Sequence, residues 1–157
     1  MDAIVAVYED WGIGKDGTQP LALSADRKHF RALTAGRTVV LGRRTLADFP
    51  GGKPLKNRKN IVLTRQDLTI EGAEIAKSPE EALALAGADA CLIGGESVYR
   101  ALLPYCDRAY VTKIAARPES DVFFPDLDAD PDWVLLEKGP ELEEDGVKYR
   151  FLIYMRK

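Results

Sequence analysis

Two adjacent glycines follow an apolar run and precede a helical pattern in the second half of the chain. The stretch reads Ile93-Gly94-Gly95-Glu96-Ser97-Val98-Tyr99, and Pro104 ends the helical pattern. Backbone without side chains can approach a phosphate group closely, and a helix N-terminus presents unpaired N–H groups and the positive end of its dipole. The stretch is therefore a candidate phosphate site, although, taken alone, a plain strand-to-helix turn explains two glycines at least as well.

A second stretch combines guanidinium and hydroxyl groups behind predicted strands. Leu41-Gly42-Arg43-Arg44-Thr45 lies where one apolar run enters a helical pattern, and Leu63-Thr64-Arg65 ends another run. Such groups converging on one edge suit an additional phosphate, for example the 2′-phosphate that distinguishes NADPH from NADH. Most arginines are solvated surface charges, which is the alternative interpretation, but the position of these behind strands favours ligand binding.

A third stretch, Pro20 to Phe30, places one carboxylate in the first turn of a predicted helix. Asp26 lies in that turn, and Phe30 lies in the next. By itself Asp26 is explained by its favourable interaction with the helix dipole, which contributes roughly 0.3 to 1 kcal/mol. His29 has no nucleophile or metal ligand nearby in the sequence, and we expect it at the surface.

The elements that must position these groups alternate between short apolar runs and helical patterns. Apolar runs of four to six residues predict buried parallel strands; they are Ala3–Tyr8, Thr38–Leu41, Ile61–Thr64 and Ala90–Ile93. Ser24 precedes a helical segment over Ala25–Ala35. In Ser78-Pro79-Glu80-Glu81 the serine predicts a helix N-cap and Glu81 completes a capping box.

The last third of the chain predicts antiparallel strands instead. Arg108–Ile114, Trp133–Lys138 and Val147–Met155 follow one another with turn-rich segments between them. We expect these strands to close one edge of the sheet, with the last strand peripheral. The whole pattern predicts one three-layer α/β domain over residues 1–157, with ligands beyond the carboxyl ends of its strands.

Composition excludes several classes of function. The formal net charge is -3, with 22 Lys and Arg interleaved among 25 Asp and Glu, so nucleic acid is not an expected partner. The longest apolar run, Ala82–Gly95, is shorter than the ~20 residues that cross a bilayer, and we expect no membrane insertion. Two cysteines and one histidine cannot form the usual zinc site, and no metal is expected. Without a signal-peptide pattern, the cytoplasm is the expected location.

The ordered set of motifs is more specific than any one of them. From the N-terminus the motifs are Ile13-Gly14, Pro20-Leu21, Asp26 with Phe30, Gly42-Arg43-Arg44-Thr45, Pro54-Leu55 to Arg58-Lys59-Asn60-Ile61, Ile93-Gly94-Gly95 with Tyr99, and Phe124-Pro125-Asp126. In content and spacing the chain resembles bacterial, chromosomal dihydrofolate reductase from Ile4 to the final strand. The resemblance implies a central, mostly parallel eight-stranded sheet, NADPH as cofactor, and reduction of 7,8-dihydrofolate by hydride transfer to C6 with protonation at N5.

The resemblance also implies the roles of individual residues. Asp26 would bind the amino-pyrimidine edge of the pteridine, supported by Thr112, with Leu21 beside them. Arg58 would bind the α-carboxylate of the substrate's glutamate tail. The remaining substrate-binding positions are Val5, Ala6, Arg27, Phe30, Phe49, Leu55, Ile93 and Tyr99. Largely apolar walls suit hydride transfer, since two flat rings must be held in contact and dry.

The positions that the resemblance assigns to NADPH combine the first two stretches with the first loop. They are Ala6, Ile13, Gly14, Gly42, Arg43, Arg44, Thr45, Leu63, Thr64, Arg65, Ile93, Gly94, Gly95, Glu96, Ser97, Val98 and Tyr99. The segment Glu9–Gln19 resembles the family's mobile loop over the nicotinamide, and Asp121 matches a position that hydrogen-bonds this loop. Dihydrofolate and antifolate inhibitors are the expected ligands, and a monomer is the expected state.

Three departures from the family pattern bear on these roles. Leu21 stands where tryptophan is often found, Arg27 where an apolar residue is common, and Glu96-Ser97 where a further glycine and a basic residue are common. Two alternative functions remain open. One is the NADPH-dependent pyrimidine reductase of riboflavin synthesis, which does not need Asp26 with Arg58, and the other is a nucleotide-binding domain without catalysis.

Overall fold

The computed structural model describes all 157 residues. The strands are β1 Asp2–Val7, β2 Gly12–Gly14, β3 Thr38–Gly42, β4 Lys59–Leu63, β5 Ala73–Ala76, β6 Ala90–Gly94, β7 Arg108–Ile114, β8 Val122–Phe123, β9 Trp133–Lys138, β10 Leu142–Glu144 and β11 Val147–Arg156. The helices are α1 Ser24–Thr34, α2 Arg43–Ala47, α3 Pro79–Ala86 and α4 Glu96–Leu102, with short 3₁₀ turns at Pro50–Gly52 and Leu103–Tyr105.

The main sheet has the strand order β10-β11-β7-β1-β6-β3-β4-β5, and β9 also pairs with β11. All pairs from β7 to β5 are parallel, and β11 is antiparallel to each of its neighbours. The predicted fold class is therefore confirmed: eight strands follow one another across a mostly parallel sheet that ends in antiparallel strands, with β9 as an addition. A separate two-stranded sheet joins β2 and β8.

The alternation of side chains along the central strands explains the layers. On β1, Val5 and Val7 contact a cluster that includes residues of α3 and α4, whereas Ile4 contacts a cluster that includes α2 and is packed by α1. Successive side chains of a strand point to opposite faces, so both faces of the sheet are buried. This is why the strands read as continuous apolar runs; every residue of β6 is buried.

The prediction that the last strand is peripheral is wrong. One edge of β11 pairs with β7 over Tyr149–Met155, and its other edge pairs with β10 and then with β9. The turn that returns the chain from β10 consists of Asp145 and Gly146, both with positive φ. Asp-Gly is a strong hairpin signal, but β10 is too short at three residues to show strand alternation.

The predicted N-cap of α3 is confirmed. Ser78 Oγ accepts the N–H of Glu81 at 3.1 Å. The capping box is modified, because the Glu81 carboxylate accepts the N–H of Lys77 at 3.3 Å, one residue before the cap.

Candidate active site

Asp26 lies in the first turn of α1 and faces the sheet. Thr112 Oγ1 donates a hydrogen bond to Asp26 Oδ1 at 2.6 Å. Thr112 is 2% exposed and stands on β7, opposite Ala6 of β1 and Phe151 of β11. The two residues predicted to form the polar centre of the site are thus in contact across 86 positions of sequence.

Burial raises the pKa of Asp26 above its ordinary value, and this effect outweighs the hydrogen bond from Thr112 and the charges of His29 and Arg27, which lower it. The sequence left the direction of this shift open because burial and hydrogen bonding act in opposite senses. A carboxyl group with a raised pKa holds its proton closer to neutral pH, which suits proton transfer or proton sharing with a ligand.

His29 is not the free surface residue that we expected. Its ring is half-buried and stacks on Phe151, with the ring centroids 4.0 Å apart. Burial lowers the pKa of His29. The ring therefore packs α1 onto β11 close to the candidate carboxylate.

The beginning of α1 is held by two residues that sequence reasoning missed. The Tyr8 hydroxyl accepts the N–H of Leu21 at 2.9 Å and donates to the carbonyl of Leu21 at 2.8 Å. The Glu144 carboxylate accepts the N–H groups of Ser24 at 2.7 Å and Ala25 at 2.9 Å. A side chain from β10 thus replaces a local helix cap, and no pattern near Ser24 could reveal a partner 120 residues away.

Arg58 is held at the other end of α1. Its Nε donates to Thr34 Oγ1 at 2.9 Å, and its Nη1 donates to the carbonyl of Lys56 at 2.7 Å. Thr34 is fully buried, and its hydroxyl donates to the carbonyl of Phe30 at 2.9 Å. Thr34 lies eight positions after Asp26 on the helix, which corresponds to roughly 12 Å at 1.5 Å per residue. The Asp26 carboxylate and the Arg58 guanidinium group therefore lie near opposite ends of α1.

Asn60 organises the loop before β4 and was also missed as a site residue. It is 2% exposed. Its side-chain amide accepts the N–H of Leu55 at 3.0 Å and donates to the carbonyls of Leu55 at 2.9 Å and Arg58 at 3.0 Å. Because one amide ties both ends of this loop, Leu55 and Arg58 are fixed relative to each other. Asn60 is the second residue of β4, and a buried asparagine within a strand carries no local sign of that role.

The residues predicted to form the apolar wall fall into two groups. Phe30, Phe49 and Leu55 are half-buried and pack against the cluster that contains buried Ile93. Val5 and Tyr99 belong to the larger cluster on the opposite face of the sheet. The remaining positions differ in exposure: Ala6 is half-buried, Arg27 is exposed, and Leu21 is half-buried against the cluster around Tyr8.

The two glycine-containing stretches meet at one edge of the sheet. Leu41 of β3 is opposite Gly94 of β6, and the Gly94–Gly95 peptide is cis. A Cβ atom added to Gly95 would lie 3.3 Å from Thr45 Oγ1, and one added to Gly94 would lie 3.4 Å from the same hydroxyl. Gly94 also has φ +120, a backbone conformation that residues with a side chain rarely adopt. The turn is a bare-backbone surface beside one hydroxyl and the start of α4.

The predicted basic edge lies next to this turn. Gly42 is opposite Leu63, so Arg43 to Thr45 and Thr64 to Arg65 emerge side by side from β3 and β4. Arg43 hydrogen-bonds the side chain of Gln66, whereas Arg44 and Arg65 form no hydrogen bond or ion pair. All three guanidinium groups are exposed. Arg44 and Arg65 therefore offer positive charge to a ligand without being committed to a partner in the protein, whereas Arg43 is paired with Gln66.

The segment Glu9–Gln19 is hydrogen-bonded to Asp121, the residue that precedes β8. The Asp121 carboxylate accepts the N–H of Asp16 at 3.1 Å, which is the contact predicted for it, and the Asp121 N–H donates to the carbonyl of Gly14 at 2.9 Å. Ile13 packs against the cluster that contains Tyr99.

No group of three or more His, Cys, Asp or Glu side chains could hold a metal ion. Among the helices, none combines the length and the apolar character that crossing a membrane requires.

Comparison with known proteins gives one consistent result. A family model described as dihydrofolate reductase matches residues 1–156. The chain is 38% identical over 150 residues to the dihydrofolate reductase of Bacillus subtilis, covering 92% of this chain and 88% of that one. It is 41% identical over 149 residues to the type 3 enzyme of Salmonella typhimurium, covering 93% and 90%. The solved dihydrofolate reductase of Enterococcus faecalis, complexed with NADP(H) and RAB-propyl, superposes with a TM-score of 0.89 at 36% identity, covering 99% and 95%.

Proposed function

The chain belongs to the dihydrofolate reductase family, and on that premise we propose how its residues act. The protein is an NADPH-dependent oxidoreductase that reduces 7,8-dihydrofolate to 5,6,7,8-tetrahydrofolate. No comparison favours the pyrimidine reductase or the non-catalytic domain. The observation that carries the assignment of residues is the hydrogen bond of 2.6 Å between Thr112 of β7 and Asp26 of α1, in the part of the structure where the half-buried Phe30, Phe49 and Leu55 pack against the cluster that contains Ile93.

The residues at the glycine edge fit NADPH. A Cβ at Gly95 would crowd Thr45, so the bare backbone leaves room for the pyrophosphate beside the start of α4. Arg44 and Arg65 are exposed and unpaired at the neighbouring strand ends, which suits the 2′-phosphate. The other proposed cofactor contacts are Ala6, Ile13, Gly14, Gly42, Arg43, Leu63, Thr64, Ile93, Gly94, Ser97, Val98, Tyr99 and, through its backbone alone, Glu96. When bound, NADPH supplies the hydride.

Asp26 orients the substrate in this proposal. Its free oxygen accepts hydrogen bonds from the amino-pyrimidine edge of the pteridine, while Thr112 holds the other oxygen. The raised pKa of Asp26 favours sharing a proton with the ring, and N5 must gain a proton during reduction. Leu21, fixed through its backbone by Tyr8, covers the ring where an indole is common in the family, so solvent reaches N5 differently here.

Arg58 binds the tail of the substrate. Two of its nitrogens are already occupied by Thr34 and Lys56, which orients the remaining guanidinium N–H groups. A carboxylate can accept from them, and a charged hydrogen bond contributes about 1.5 to 3 kcal/mol. Phe30, Phe49, Leu55 and Ile93 line the path between ring and tail, with Val5, Ala6, Arg27 and Tyr99 as further substrate contacts.

We propose further that the chain is one monomeric domain in the cytoplasm and that antifolate inhibitors bind its substrate cleft. Both cysteines are free and buried, which suits a reducing compartment. Sedimentation at several protein concentrations tests the monomer.

The function is tested by following the near-ultraviolet absorbance of NADPH with purified protein. Oxidation of NADPH is expected with dihydrofolate and not with a ribosylaminopyrimidine, the substrate of the riboflavin-pathway reductase. Oxidation only with the ribosylaminopyrimidine would support that reductase. Binding of NADPH without turnover of either compound would support a domain that lacks catalysis.

A further inference from the structure

The partners of the Glu96 carboxylate lie outside the Gly94–Gly95 turn. It is the first residue of α4 and follows Gly95 directly. Its Oε2 accepts the backbone N–H of Phe123 at 2.7 Å, and its Oε1 lies 4.0 Å from Nε of Arg100. The Glu96 side chain is 33% exposed. A negative charge next to the glycine turn is thus committed to a partner in β8.

Residues 121 to 124, which include the partner of Glu96, also contact the loop Glu9–Gln19. Phe123 of β8 is opposite Gly12 of β2, and the N–H of Phe124 donates to the carbonyl of Trp11 at 2.9 Å. Residues 121 to 124 therefore have α4 on one side and the loop on the other.

A second contact follows the same path. The ring of Phe124 meets Tyr99 of α4 edge-on, with centroids 4.9 Å apart, and stacks on Trp11 of the loop at 6.3 Å. Phe124 is 2% exposed. A displacement of α4 therefore reaches the loop through a charged hydrogen bond to the backbone and through packed aromatic rings, which are stiff in a close-packed interior.

We propose that Glu96 is a positioning residue that couples the Gly94–Gly95 turn to the loop Glu9–Gln19. NADPH affinity and the arrangement of the loop are then linked, and the link depends on the hydrogen bond from Phe123 to Glu96. A hydrogen bond to an ionised acceptor is roughly twice as strong as one between neutral groups. The inference rests on the proposed function, which assigns the turn to NADPH.

A purely electrostatic role for Glu96 predicts the opposite change in NADPH affinity. If Glu96 acted only as a negative charge near the cofactor phosphates, its removal would relieve repulsion and tighten NADPH binding. If it couples the turn to the loop, its removal weakens NADPH binding and slows hydride transfer. Glu96→Gln keeps an acceptor oxygen for Phe123 but loses the charge, so it separates the two explanations further.

The experiment compares Glu96→Gln and Glu96→Ala with Glu80→Ala, which removes an exposed first-turn carboxylate from α3. NADPH dissociation constants are measured by calorimetry, and hydride transfer is measured in single turnovers with dihydrofolate. We expect Glu96→Ala to weaken NADPH binding by about fivefold and to slow hydride transfer, Glu96→Gln to lie between it and wild type, and Glu80→Ala to match wild type. Tighter NADPH binding in either Glu96 variant, or unchanged binding and hydride transfer, would overturn the coupling.

A double-mutant cycle with Asp121→Ala tests the path. Both residues act on segment 121–124. The factor by which Asp121→Ala slows hydride transfer is therefore expected to be at least twofold smaller in the Glu96→Ala background than in wild type. Additive effects on hydride transfer would contradict a shared path. The proposed function fails separately, since it requires wild-type protein to oxidise NADPH with dihydrofolate, whereas the coupling concerns NADPH affinity and the change between variants.

Discussion

The proposed substrate side and the proposed cofactor side of the molecule hold their polar groups in opposite ways. On the substrate side Asp26 and Arg58 are bound to Thr112 and Thr34, which are both buried. On the cofactor side Arg44, like Arg65, is exposed and has no partner in the protein.

The difference follows from what each side must do. Hydride transfer to one ring atom requires a ring fixed within fractions of an ångström, so the groups that orient the ring are preorganised. Phosphates need positive charge and bare backbone, and flexible arginines can be ordered by the ligand itself. Mutations on the substrate side should therefore have large effects on the rate of hydride transfer or on dihydrofolate affinity, and mutations on the cofactor side should have smaller effects on NADPH affinity.

The largest effect is expected for Asp26→Asn. The amide cannot share a proton with the ring, and loss of acid–base assistance typically lowers a rate on the order of 10²- to 10⁴-fold. Single-turnover hydride transfer near neutral pH measures it, while the dissociation constant of NADPH is expected to change little. Asp132→Asn, which alters an exposed carboxylate, is the control. Hydride transfer at the wild-type rate in Asp26→Asn would remove Asp26 from the mechanism.

The next largest effect is expected for Arg58→Ala. Loss of a charged hydrogen bond worth about 1.5 to 3 kcal/mol predicts at least about tenfold weaker dihydrofolate binding, with a smaller change in the hydride step. Fluorescence titration measures the affinity. Substrate without its glutamate tail is the control, because it should bind both proteins equally. Equal affinity for full-length dihydrofolate would place Arg58 outside the site.

Glu144→Ala tests whether the distant cap supports the substrate side. The variant leaves the N–H groups of Ser24 and Ala25 without their partner, and loss of a cap destabilises by about 0.5 to 2 kcal/mol. Urea unfolding measures the loss. Glu143→Ala, on the same short strand but without a hydrogen bond to α1, is the matched control, and equal stability of the two variants would mean that the cap contributes nothing.

On the cofactor side, Arg44→Gln and Arg65→Gln should each weaken NADPH binding only about two- to fivefold, as expected for exposed ion pairs worth up to ~1 kcal/mol. Affinity for NADH, which lacks the 2′-phosphate, should stay the same, and added salt should reduce the difference. An equal loss of NADH affinity would assign these arginines to another part of the cofactor.

The smallest effect concerns stability and pH. Because the pKa of Asp26 is raised in the folded protein, the unfolded state binds fewer protons there, and the free energy of unfolding falls as pH rises from the ordinary value of 3.8 through the raised one. Asp26→Asn removes this loss. Urea unfolding should therefore show the variant gaining more stability over wild type at about pH 7 than at about pH 4. A gain that is equal at both values would contradict the raised pKa.

Sequence reasoning succeeded where a signal is local. The buried strands, the cap at Ser78 and the glycine turn are each contained in a few consecutive residues. It failed for β10, which is too short for a pattern, and for the environment of β11, which depends on strands elsewhere. The family resemblance supplied Asp26 and Thr112.

Asn60 binds neighbours within five residues, but the other contacts that sequence reasoning missed join residues that are distant in sequence. Tyr8 holds Leu21, Glu144 holds the start of α1, and Glu96 reaches Phe123 rather than the cofactor edge. Each is an ordinary polar residue in its own neighbourhood, so only the fold reveals its use.

The central claim is that the Asp26 carboxylate holds the pteridine, and a crystal structure of the complex with folate and NADP⁺ tests it most directly. We expect an Asp26 oxygen within about 2.6 to 3.2 Å of the amino-pyrimidine edge of the ring, with the hydrogen bond from Thr112 retained. A ring bound with that edge turned away from Asp26, or bound far from Asp26 and Thr112, would contradict the account.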